Sequence, residues 1–119
     1  MEDNVVYLRR SKRFTLDEAR SLLPQVKALT DEAMENVEPL VMKIQDAPTE
    51  DEKARWAGML QDRIDQWTDE IVKLGIVPKG LWLVDFDSGH GFYCWHHGDD
   101  DLAFCHGYDE GFSSRVPIS

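Results

Sequence analysis

The sequence predicts an α+β fold: a long antiparallel two-helix hairpin packed on a small three- to four-stranded antiparallel sheet. Two observations carry this. Between residues 15 and 74, apolar residues return every three or four positions, the period of one helix face. After Gly75 the pattern changes to short aromatic and β-favouring runs separated by Gly and Asp clusters.

The first helix is marked by Leu16, Ala19, Leu22, Leu23, Val26, Leu29, Ala33, Val37, Leu40, Val41 and Ile44. Thr15 and Glu18 form a capping box at its start, and Phe14 sits at the staple position before it. Asp17 and Glu18 complement the positive end of the helix dipole. Pro24 and Pro39 each remove a backbone donor. The apolar stripe keeps its phase across both, so a kinked continuous helix is expected. A break at Pro24 is the alternative.

The short break Asp46-Ala47-Pro48-Thr49 turns the chain back, and Thr49 with Glu52 opens the second helix. Its core positions are Ala57, Leu60, Ile64, Trp67, Ile71 and Leu74, the three-four alternation of a coiled-coil seam. Leu60, Ile64 and Trp67 are therefore expected to be buried against the first helix. Trp56 and Met59 lie off the stripe. Gly75 is placed to end the helix with positive φ, and Pro78 blocks its resumption.

Leu81 to Phe86, Phe92 to His97 and Leu102 to His106 read as a three-stranded meander. A fourth short strand is expected at residues 5 to 8. Centring the last turn on Asp99 and Asp100 pairs Trp95 with Phe104, Tyr93 with His106 and Cys94 with Cys105. One face then carries Tyr93, Trp95, Leu102 and Phe104, and should pack on the helices. The other carries Phe92, Cys94, His96, Ala103 and Cys105. The whole is one domain, 1–119: hairpin 15–75, strands 80–107, and an irregular segment 108–119.

A chain of 119 residues with net charge −10 has one cationic stretch. Arg9, Arg10, Lys12 and Arg13 against Glu2 and Asp3 give +2 over residues 1–13, leaving −12 on the rest. Such a surface repels phosphate backbones, so nucleic acid is not an expected partner. No apolar run reaches the ~20 residues of a membrane helix, and no apolar leader opens the chain, so a cytoplasmic protein is expected. Cys94 and Cys105 are then expected to be reduced.

Candidate chemistry sits in the C-terminal half. Cys94, His96 and Cys105 fall on one face in this register and are zinc-type donors. The plain alternative is two buried cysteines beside an exposed histidine, and no cofactor is required. Asp85-Phe86-Asp87-Ser88-Gly89 resembles the opening of a calcium loop, but His96 stands where the closing Glu belongs, so an Asx-type turn is expected. His106 ends a strand near Asp109 and Glu110, which can orient it. No nucleophile motif, P-loop or dinucleotide fingerprint is present, so nothing marks an enzyme.

Several stretches together resemble one family, the uncharacterised bacterial and archaeal proteins grouped as DUF2203. They are Phe14 to Arg20, Leu22-Leu23-Pro24, Lys73 to Ile76, Leu83 to Phe86, Cys94-Trp95, Gly98-Asp99, His106, and Asp109 to Phe112 with Arg115 and Pro117. Members carry Trp-His-Glu where this chain has Cys105-His106-Gly107, and have a few more residues where it has Lys79 to Trp82. The resemblance implies a grouping and no activity.

Two function classes follow. One is a non-enzymatic interaction or assembly module acting as a homodimer. The other is a small-ligand or metal-binding protein, with Asp85, His106 and Arg115 as the leading ligand-binding residues and Cys94, His96 and Cys105 as the metal donors.

Overall fold

The computed structural model describes residues 11–119. Two helices, α1 (Leu16–Asp46) and α2 (Glu50–Lys73), form the hairpin. Five strands follow: β1 (Val77–Gly80), β2 (Leu83–Asp87), β3 (Phe92–His96), β4 (Phe104–His106) and β5 (Val116–Pro117). They make one antiparallel sheet in the order β1-β2-β3-β4-β5. The fold class is as expected, but the sheet has five strands rather than three or four. The expected strand at residues 5 to 8 lies outside the described residues.

The helix ends form as their sequences dictate. Thr15 Oγ1 accepts the Glu18 N–H at 3.1 Å, and Glu18 Oε1 accepts the Thr15 N–H at 2.8 Å. Thr49 Oγ1 accepts the Glu52 N–H at 3.1 Å. α1 runs unbroken through Pro24 and Pro39, both of which are exposed. Gly75 adopts φ +83° beyond α2, and a Cβ there would stand 2.6 Å from the Lys12 side chain. Phe14 packs edge-on against Phe86, with ring centroids 5.5 Å apart.

The core lies between the hairpin and one sheet face. Ala19, Leu23 and Val26 of α1 and Trp67 and Ile71 of α2 meet Val84, Phe86, Trp95 and Leu102. The sheet is shorter than the hairpin. The helices therefore pass beyond it, and the molecule measures 50 × 31 × 25 Å. This corrects one expectation: Trp67 is buried, but Leu60 and Ile64 are only half-buried. No helix among the described residues is long and apolar enough to cross a membrane.

Three further corrections concern the sheet. β1 begins at Val77, ahead of residue 80, and Leu81-Trp82 form the turn into β2. Trp82 takes φ +58°, a costly conformation for a bulky residue, and its ring is held edge-on to Trp67 at 5.1 Å. The β3–β4 register is one residue away from the expected one: Cys94 pairs with Phe104, Tyr93 with Cys105 and Phe92 with His106. Phe104 and Cys105 consequently exchange faces.

The third correction is the C-terminal segment. Residues 108–119 hold a 3-10 turn (Phe112–Ser114) and β5, and they cover the second sheet face. Tyr108 packs edge-on to Phe92 at 5.0 Å, and Phe112 lies against His96 at 5.1 Å. The Arg115 guanidinium sits 4.0 Å from the Phe104 ring centroid and 4.3 Å from that of Phe112.

Candidate functional site

Strand pairing builds a polar cluster beneath that cover. β2 and β3 pair Asp85 with Cys94, and β3 and β4 pair Phe92 with His106. Cross-strand partners share a face, so Asp85, Cys94 and His106 all project toward the C-terminal segment. All three residues are buried. Gly91 lets β4 approach, since a Cβ there would stand 2.7 Å from the His106 carbonyl oxygen.

The His106 ring is held at both nitrogens. Nδ1 stands 2.9 Å from the Gly107 carbonyl oxygen. A carbonyl only accepts, which assigns the proton to Nδ1. Nε2 lies 3.1 Å from Asp85 Oδ1 and 3.0 Å from Oδ2. Only the Oδ1 contact has hydrogen-bond geometry, so Oδ2 is buried without a hydrogen-bond partner.

Burial raises the Asp85 carboxyl above its ordinary value, against the opposing attraction of His106 and Lys79. The Cys94 thiol is pushed up to about 12, first by burial and then by the Asp85 charge, while Arg115 opposes both. A thiol so placed stays protonated and is a poor nucleophile.

Arg115 closes the cluster from above. It grips Asp99 with two bonds, Nη1 to Oδ2 at 2.6 Å and Nη2 to Oδ1 at 3.2 Å. Asp99 Oδ2 also accepts the His96 N–H at 3.0 Å. Burial pushes the Asp99 carboxyl up. The bonds from Arg115 and His96 outweigh it and hold the group below its ordinary value.

The sequence candidates are thus redistributed. Asp85 and His106 touch, and Arg115 faces the Cys94 side of the same cluster. Cys94, His96 and Cys105 do not come together. Cys105 pairs with Tyr93 and turns to the helix-side face, and the His96 ring is taken up by Phe112. Both cysteines are free thiols. The partner of His106 is Asp85, whereas Glu110 Oε1 accepts the Gly107 N–H at 2.8 Å. Asp87 forms the expected Asx-type turn, its Oδ1 accepting the Gly89 N–H at 2.8 Å, and also accepts the Tyr108 hydroxyl at 2.5 Å. The sequence pointed to Asp99 only as a turn residue and within the family resemblance, and Tyr108 carried no signal. The signal for the cluster was the hairpin register: a turn centred on Asp99 alone would have set Cys94 opposite Phe104.

Fold and site define a helical hairpin on a five-stranded antiparallel sheet, with an Asp–His–Cys cluster sealed under its C-terminal segment. The chain belongs to the family described as uncharacterized conserved protein (DUF2203), whose model matches residues 12–118. No curated protein and no solved structure matches it.

Proposed function

We propose that this protein is a non-enzymatic assembly module that acts as a homodimer through the free end of its helical hairpin. The observation that carries this reading is the apolar surface there. Val41, Met42 and Met59 are 37%, 55% and 38% exposed, beyond the reach of the sheet. Met42, Lys43, Asp46, Glu52 and half-buried Trp56 line one depression. Exposed apolar patches of this kind mark contact surfaces.

The charges at that end favour a second copy as the occupant. Lys43 and Arg55 stand 4.7 and 5.0 Å from the Trp56 ring centroid, and Asp46 and Glu52 lie beside them. A patch with both signs can face its own image across a two-fold axis. The second sheet face is not the contact in this reading, since residues 108–119 pack over it. The non-enzymatic reading is supported by the burial of the Asp85 and His106 side chains, 1% and 2% exposed, and by the protonated Cys94 thiol.

Two copies at −10 repel, so the dimer should weaken at low salt, where screening is poorest. Sedimentation at micromolar concentration tests this. The expected result is a dimer at moderate salt, partly dissociated at low salt, and a monomer for Met42→Asp. A single species at the mass of one chain at both salts overturns the homodimer. A Met42→Asp protein that stays dimeric overturns the contact surface.

A further inference from the structure

We propose that Asp85, Cys94 and His106 form a binding site for one divalent transition-metal ion of the zinc class. The site is independent of self-association and uses a different donor set from the one the sequence suggested.

Its donor atoms already converge. One ligand atom from each residue lies within 4.8 Å of the others, and this is the only such group of His, Cys, Asp or Glu side chains among the described residues. Metal–ligand bonds of about 2.0–2.3 Å in a tetrahedral shell place donors roughly 3.3–3.8 Å apart. Closing the cluster onto an ion therefore needs only small side-chain rotations. Thiolate, imidazole and carboxylate together suit a borderline-soft ion better than calcium or magnesium, which prefer oxygen.

The surroundings are those of a ligand shell. Nδ1 of His106 is committed to the Gly107 carbonyl, which fixes the ring and presents Nε2 inward. Metal-bound histidines are held by this same second bond. Asp85 Oδ2 is buried with no hydrogen-bond partner, an arrangement that costs stability unless something else satisfies it. With both oxygens of Asp85 beside Nε2, three side chains can supply four donor atoms.

Charge balance also holds. Thiolate, carboxylate and neutral imidazole around a dication make the filled site neutral. Arg115 adds no net charge, because Asp99 pairs with it. Its guanidinium faces Cys94 and favours the thiolate.

Refolding the full chain with cobalt(II) tests the site. The expected result is one cobalt per chain, with visible ligand-field bands and a near-ultraviolet thiolate-to-cobalt absorption. Cys94→Ser should abolish the thiolate absorption, and Cys105→Ser should keep it. Asp85→Asn, which preserves shape, should weaken binding by about tenfold or more in chelator competition. Wild-type protein that refolds without acquiring a cobalt spectrum overturns the proposal. So does a thiolate absorption that survives Cys94→Ser or is lost in Cys105→Ser.

Discussion

His106 Nε2 stands 3.1 Å from Asp85 Oδ1 on the second face of the sheet, in a pair shielded from water. Removing one partner of such a pair leaves the other buried and alone. His106→Ala should lower the stability of the metal-free protein by about 3–5 kcal/mol in urea unfolding. Asp85→Asn keeps a donor facing Nε2 and should cost clearly less. Equal losses would show that packing, not the pairing, decides.

Arg115 ties the C-terminal cover to the loop after β3 through Asp99. Their side chains are 15% and 17% exposed, so the pair is only weakly screened. The folded Asp99 carboxyl lies below its ordinary 3.8. Its contribution is therefore complete above that value and disappears as pH falls from there through the folded value. Arg115→Ala should cost stability at pH 7 and progressively less as the medium is acidified below pH 3.8. A cost unchanged across that acid range would remove the ion pair as its cause.

The helix seam should show a gradient. Trp67 Nε1 donates to Thr30 Oγ1 at 3.0 Å, and the Thr30 hydroxyl donates to the Val26 carbonyl at 2.8 Å, all inside the core. Thr30→Val strands the indole N–H and should cost about 1–3 kcal/mol. Trp67→Ala should cost about 3–5 kcal/mol and half-buried Leu60→Ala less than about 2 kcal/mol. A Leu60 loss as large as that of Trp67 would mean that the free end is covered in solution, as a dimer would cover it.

The two thiols should differ. Cys94 is buried with its thiol raised to about 12, whereas Cys105 is half-buried. A thiol reagent at pH 8 should modify Cys105 first, and Cys94 only as the protein unfolds. Unfolded, unreduced protein should give two free thiols. Finding none would indicate a disulfide and a rearranged β3–β4 register.

Much of the fold was legible because its signals are local. The three-four apolar period, the Thr15–Glu18 box and Gly75 at positive φ fix the hairpin through bonds a few residues long. The aromatic runs around Val84, Cys94 and His106 announce strands for the same reason. The family resemblance, too, rests on residues read in order along the chain.

What the tertiary structure decided depends on contacts distant in sequence. Side chains alternate along a strand, so a slip of one residue between β3 and β4 separates Cys105 from Cys94 and brings His106 to the face where β2 sets Asp85 opposite Cys94. Residues 108–119 have no periodicity, and distant partners define their path: Phe92, His96 and Phe104 by ring contacts, Asp87 and Asp99 by hydrogen bonds, and β4 by pairing with β5. The burial of Trp67 but not Leu60 follows from where a short sheet ends along a long hairpin, a length no helix period contains.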